Sequence, residues 1–191
     1  QLVHVCKLGK PPGEEAGLAI YQSGAGGAGV IDFDLDGWPD IYLTAMDGRP
    51  MERDSQPNRC FRNLAGRFTD VTGWAGVGDP GFAQGIAVGD YNADGFPDLL
   101  VANLGPNRLF RNNGDGTFAD VTDAVGLSGT KWTTSVAIAD IDANGHADIF
   151  EVTYCEDEKM LHQQCIDEKL QQPRSCSPLV FSAGGDVLWR G

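Results

Sequence analysis

Asp90-Tyr-Asn92-Ala-Asp94-Gly95-Phe96-Pro-Asp98 is one of three copies of an acidic, glycine-punctuated stretch. The others are Asp32-Phe-Asp34-Leu-Asp36-Gly37-Trp38-Pro-Asp40 and Asp140-Ile-Asp142-Ala-Asn144-Gly145-His146-Ala-Asp148. Each puts oxygen-bearing side chains at positions 1, 3, 5 and 9, a glycine at 6 for a sharp turn, and a backbone carbonyl expected from position 7 (Trp38, Phe96 or His146). A hard cation such as Ca²⁺ takes six to eight oxygen ligands, and this spacing supplies most of them. A single Asp/Asn/Gly cluster would read as a solvated turn. Three in register, with starts 58 and 50 residues apart, read as three calcium sites.

The copies belong to a longer repeat. Asn58-Arg-Cys-Phe-Arg62-Asn63 followed by Arg67-Phe-Thr-Asp-Val-Thr72 recurs as Asn107-Arg-Leu-Phe-Arg111-Asn112 followed by Thr117-Phe-Ala-Asp-Val-Thr122. A period near 50 residues predicts a propeller, solenoid or array, in which each unit buries its apolar faces against its neighbours. The second unit predicts strands over 85–89, 97–102, 108–112 and 117–121, with Asn113-Gly114-Asp115-Gly116 as a hairpin turn between the last two. The fold class expected is therefore all-β, with blades of four antiparallel strands. An irregular segment over 1–27 precedes blade repeats at 28–82, 83–131 and 132–191, the third carrying a cysteine-containing insertion at 155–177.

An EF-hand is the rival metal motif, since Glu151 stands twelfth from Asp140. The same position is Leu43 in the first copy and Val101 in the second. The flanks Val136-Ala-Ile and Ile149-Phe-Glu-Val-Thr-Tyr154 favour extended chain over the two helices that an EF-hand needs. Glu151 is expected to face solvent at a blade edge or to lean toward the third ion.

Through the three acidic loops and the Arg108 to Thr122 segment, the chain resembles the FG-GAP or VCBS repeats of integrin-alpha-type β-propellers, and within them the family related to cartilage acidic protein. The resemblance covers roughly 28–190. It implies a seven-bladed propeller with a calcium loop between the first and second strands of several blades, acting in adhesion or extracellular recognition. A closed propeller takes about four to eight blades, whereas 191 residues hold three recognisable units, so a partial propeller of about three blades is expected. Asp186-Val-Leu-Trp-Arg190 aligns with Asn107-Arg-Leu-Phe-Arg111, which places the last residues inside the third strand of the third unit. A fragment of a longer chain, or a partly ordered one, is expected, completed by further blades of the same or another chain.

Formal charge is −13, and ten of the 27 acidic residues are proposed ligands. Clustered carboxylates repel one another without metal, so ion binding is expected to stabilise the fold by mass action. No basic stripe is present to meet phosphates, which argues against nucleic acid. No apolar run of 18 or more residues occurs, which argues against a membrane-spanning helix. Calcium sites of the extracellular type and the cysteine usage favour a secreted or periplasmic location. Of five cysteines, Cys60 aligns with Leu109 and Leu188 and reads as a small buried hydrophobe. Cys6, Cys155, Cys165 and Cys176 remain, with Cys165–Cys176 the first choice of bridge. A zinc site using these with His162 is disfavoured because the short Cys-x₂₋₄-Cys element is missing.

In an antiparallel blade the first-to-second and third-to-fourth turns share one end, and all other connections share the opposite rim. Calcium is thus expected away from the longer loops at 45–57 and 155–177 and the crossovers at 73–82 and 123–131. Those rim loops are the expected place for a protein or glycan partner. The insertion predicts a short helix over 156–172, with Met160, Leu161, Cys165, Ile166 and Leu170 as an apolar stripe that Pro173 ends. Catalytic signatures are poor. Gly24-Ala-Gly26-Gly-Ala-Gly29 and Gly76-Val-Gly78-Asp-Pro-Gly81 match a dinucleotide glycine pattern but precede strands, so both read as crossover loops. His146 stands at the carbonyl-donating seventh position, so its imidazole is expected to point out of the loop, His4 and His162 lie in irregular segments with no evident partner, and carboxylates committed to calcium are poor bases. A non-enzymatic, calcium-binding recognition module is the favoured reading. The alternative is the propeller portion of a calcium-dependent carbohydrate-active enzyme resembling a polysaccharide lyase.

Overall fold

The computed structural model describes residues 19 to 191 apart from 25, 128 and 130. Cys6, His4 and most of the 1–27 segment therefore lie outside the described residues. Strands β1 (Ala28–Ile31), β2 (Asp40–Leu43), β3 (Arg59–Leu64) and β4 (Arg67–Asp70) pair in order as an antiparallel sheet. A one-turn helix, α1 (Thr72–Ala75), lies in the crossover to a second sheet of the same order, formed by β5 (Ala83–Gly89), β6 (Asp98–Asn103), β7 (Arg108–Asn112) and β8 (Phe118–Asp120). The third sheet begins with β9 (Trp132–Ala139) and β10 (Asp148–Cys155). A small hairpin, β11 (Cys165–Asp167) and β12 (Gln172–Arg174), interrupts it before β13 (Val187–Trp189) returns to pair with β10. The chain is thus nearly all β, and its four-stranded meanders have the form of propeller blades that do not close a ring among the described residues.

Register is the same in each unit. Ile41 opposes Phe61, Leu99 opposes Phe110 and Ile149 opposes Trp189, so equivalent side chains point to equivalent faces. Between the first and second sheets lie Ile31, Phe33, Tyr42, Cys60, Leu99, Val101 and Phe110; between the second and third lie Leu100, Leu109, Leu127 and Ile149. The central β6 is covered on both faces, which is why its sequence is a continuous apolar run, whereas β1 alternates exposed and buried residues. The inner strands approach most closely. A Cβ at Gly85 would stand 2.7 Å from the Thr134 carbonyl oxygen, so β5 can lie on β9 only because that position is bare.

Three findings depart from sequence expectation. The predicted helix over 156–172 is replaced by a 3₁₀ turn at Glu158–Leu161 followed by the β11–β12 hairpin. The Cys165–Cys176 disulfide ties the two sides of this hairpin together, and the Asp167 carboxylate accepts from Lys169 N–H and Leu170 N–H to form its turn. Those local bonds compete with helix. The expected apolar stripe therefore splits: Met160 is buried in a cluster with Tyr21, Phe82, Leu104 and Trp132, while Ile166 and Leu170 are exposed, and Pro173 sits inside β12 rather than ending a helix. Glu151 is buried, away from solvent. Its Oε1 accepts from Asn107 Nδ2 at 2.7 Å and its Oε2 from Trp189 Nε1 at 3.1 Å, so it stitches the second sheet to the third.

The three acidic loops share one backbone trace. Position 4 is left-handed in each (Leu35, Ala93 and Ala143, φ of 54°, 57° and 60°), as is the glycine at position 6. Left-handed conformation costs a non-glycine residue about 1–2 kcal/mol. Space is open around Gly95, whose φ is 90°. Gly95→Ala is therefore expected to destabilise the chain by about 1–2 kcal/mol through backbone conformation alone, a loss readable by urea unfolding in chelator; an unchanged midpoint would show that this trace is not required. Burial pushes the Cys60 thiol up to about 12, and its side chain is fully enclosed. In the folded protein at pH 8, mass spectrometry after iodoacetamide treatment should find Cys60 unmodified, with alkylation appearing only on unfolding.

Candidate functional site

Each loop is organised by two aspartates with different tasks. The position-1 side chain closes the turn: Asp32 accepts from Asp36 N–H and Gly37 N–H, Asp90 from Asp94 and Gly95, and Asp140 from Asn144 and Gly145, at 2.8 to 3.1 Å. The position-9 side chain, at the first residue of the second strand, is buried and anchors the loop to the sheet. Asp40 accepts from Phe33 N–H at 3.2 Å and from Asn63 N–H at 2.7 Å. Asp98 accepts from Tyr91 and Asn112, and Asp148 from Ile141 and Gly191, in the same way.

These anchors differ electrostatically. Burial raises the Asp40 carboxyl above its ordinary range and pushes Asp98 up to about 6, against the opposing pull of the backbone donors Asn112 and Tyr91. Asp98 belongs to the middle sheet, with protein on both sides. Asp148 belongs to the third sheet, whose far face no further sheet covers among the described residues, and there the Gly191 and Ile141 N–H groups hold the carboxyl below its usual value.

In the first loop, Asp32, Asp34 and Asp40 bring one carboxylate oxygen each within 4.8 Å of one another, and Asp140, Asp142 and Asp148 do the same in the third. Oxygens sharing one calcium ion, each 2.3–2.6 Å from it, lie at most about 5 Å apart. The donor set therefore fits the ion. A further sign is that Asp34 Oδ1 is buried without a hydrogen-bond partner, a costly condition for a carboxylate oxygen that a cation would relieve. In the second loop Asn92 replaces the position-3 aspartate. Its Nδ2 donates to Asp94 Oδ2 at 2.7 Å, and its Oδ1 accepts from Asp94 N–H.

Position 5 is turned otherwise. Asp36 Oδ1 accepts from Trp38 N–H, and its Oδ2 accepts from the Arg62 guanidinium, which also pairs with Asp34. Asp94 and Asn144 likewise accept from Phe96 N–H and His146 N–H. At position 7, the Trp38 and His146 side chains face solvent, while the Phe96 ring lies over Gly114 in the hairpin turn of the same sheet.

Sequence reasoning did not assign three further contributors. Arg62, at the end of β3, supplies a positive charge to the first loop, and Arg190 stands at the same place near Asp142 at 3.4 Å. Asn112 Nδ2 donates to Phe33 O at 2.8 Å and so ties the second sheet to the first acidic loop. The recurrence of Arg-Asn at 62–63 and 111–112 was the available signal. The zinc alternative finds no support, because Cys165 and Cys176 are joined to each other and the metal-competent groups among the described residues are the acidic loops.

No curated protein matches the chain. Repeats of the FG-GAP-like type match residues 32–101 and 90–151, spanning all three acidic loops and most of the stacked sheets. No helix among the described residues is long and apolar enough to cross a membrane, and the disulfide is compatible with an extracellular location. Acidic clusters able to hold a metal ion, blades in common register and the matched repeats lead to one conclusion: the chain belongs to the FG-GAP-like repeat family.

Proposed function

We propose that the chain is a non-enzymatic recognition module in which calcium ions, one per acidic loop, rigidify one end of the blades while the opposite rim meets an extracellular protein or glycan. The observation that carries the ion reading is the buried, donorless Asp34 Oδ1 within the Asp32–Asp34–Asp40 cluster. Residues at positions 1, 3 and 9 hold the ion, position 5 joins them once it exchanges its hydrogen bond to the position-7 N–H, and Arg62 in the first loop, for the cation, and Trp38, Phe96 and His146 contribute carbonyls. Bound calcium would neutralise carboxylates that otherwise repel one another at short range.

The rim reading rests on where the long connections meet. Arg49, Met51 and Glu52 of the first second-to-third loop face Leu161 and His162 of the insertion across a cleft of about 260 Å³, closed at its base by Tyr21. Rigid blades positioning variable loops is the usual arrangement for a binding surface. Extracellular calcium modules work at about 10⁻⁴ to 10⁻³ M, which suits a secreted or periplasmic protein.

Calorimetric titration of the chelator-treated protein should return three calcium equivalents, the tightest at the first loop, whose sequence holds four carboxylates against three in each of the others. Asp34→Ala is expected to remove that tightest step and Trp38→Phe to leave it in place. Calcium at a hundredfold excess over its Kd should add about 2.7 kcal/mol per site to unfolding stability. Absence of binding heat, or an Asp34→Ala titration identical to wild type, would overturn the ion reading.

A further inference from the structure

Each unit carries an arginine at one place along its third strand: Arg62 in β3, Arg111 in β7 and Arg190 just after β13. What that arginine meets follows position 3 of its own acidic loop. Where position 3 is aspartate, the guanidinium goes to it: Arg62 Nη2 pairs with Asp34 and, at 3.2 Å, with Asp36, and Arg190 Nη1 stands 3.4 Å from Asp142. Where position 3 is Asn92, Arg111 turns away to Asn113 Oδ1 at 3.2 Å, and the Asn92 amide itself donates to Asp94 at 2.7 Å. The arginine therefore follows the loop's charge.

The closest of these pairings, in the first loop, is also imperfect. One nitrogen of Arg62 serves two carboxylates, while Arg62 Nε and Asp34 Oδ1 are both buried without a hydrogen-bond partner. Buried polar atoms left unpaired are costly. A guanidinium stays charged at any ordinary pH, so Arg62 offsets part of the repulsion among the loop's carboxylates. A divalent ion offers twice that charge and a use for the idle Asp34 oxygen, and its arrival leaves Arg62 free to turn its Nε to water. Arginine and ion are thus alternative occupants of the same carboxylates.

We propose that Arg62 is a tethered cation that competes with calcium for the first loop. It holds Asp34 and Asp36 in place while the loop is empty and swings toward solvent when the ion binds. The first site then fills at a higher calcium concentration than its four carboxylates alone would set, and its advantage over the other two is narrowed without being reversed. Arg62 has this role only if the acidic loops hold calcium, as proposed above. Arg111, bonded to the hairpin turn, exerts no such competition.

The test is calorimetric calcium titration of Arg62→Gln, Arg62→Lys and Arg111→Gln beside wild type, with Asp34→Ala marking the first-loop step. Arg62→Gln, which keeps the stem and removes the charge, should tighten that step about fivefold, the scale of a partly exposed ion pair. Arg62→Lys should stay near wild type, and Arg111→Gln should leave every step unchanged. Urea unfolding supplies the second readout: Arg62→Gln should lower the midpoint in chelator and leave it unchanged in saturating calcium, because the pairing exists only in the empty loop. A merely structural arginine would lower both midpoints alike. Equal or weaker calcium binding by Arg62→Gln, a Lys variant that matches the Gln variant, or equal loss of stability in both conditions would overturn the proposal and leave the ion reading standing. Absence of the first-loop step in wild type would overturn both.

Discussion

Everything in this molecule hangs from a buried aspartate at the start of each second strand. Asp40, Asp98 and Asp148 each accept one N–H from the acidic loop and one from the third strand or, for Asp148, from Gly191 just beyond it, so a single carboxylate fixes the turn and ties the loop to the strand two places along. Taking a carboxylate out of water is expensive unless donors or a cation compensate it. Two backbone donors compensate only in part in the middle of the stack, where Asp98 remains shifted toward its protonated form. On the proposed reading, a divalent ion would supply the missing compensation. The anchor and the ligand would then be the same group, which would couple ion binding directly to sheet geometry.

The two ends of the blades are built differently. Antiparallel pairing sends the acidic loops to one end and the long second-to-third connections to the other. The acidic end carries charge and strained left-handed residues at Leu35, Ala93 and Ala143. The rim end is held by apolar packing, with Met46, Phe82, Leu104, Trp132 and Met160 in one cluster beneath the loops. Loops on such a base can vary in length and chemistry while the blades beneath them stay unchanged.

Much of this was legible in the residues, and the limits have physical causes. The acidic period, the strand positions of the second unit, the Asn113 to Gly116 turn and the Cys165–Cys176 bridge could be read because each depends on local chemistry or on spacing repeated in register. The insertion was misread as helix because its apolar residues fall at helical spacing, while the disulfide and the Asp167 turn, which decide the outcome, act against that pattern. Glu151 was opaque for a different reason. Its role depends on Asn107, 44 residues away in the preceding sheet, and no local pattern announces such a contact. Arg62 and Asn112 were visible as repeated residues, but the target of Arg62 emerges only when β3 pairs beside the loop of its own sheet, and that of Asn112 only when the second sheet stacks on the first.

The most direct test of the proposed coupling between anchor and ion is native-state amide hydrogen exchange at Asn63, Asn112 and Gly191, the donors to the three aspartates in or just beyond the third strands. Adding calcium to the chelated protein is predicted to slow exchange at all three, because the ion grips the carboxylates that these amides serve. Exchange that stays unchanged at these amides while calcium is bound would contradict the account.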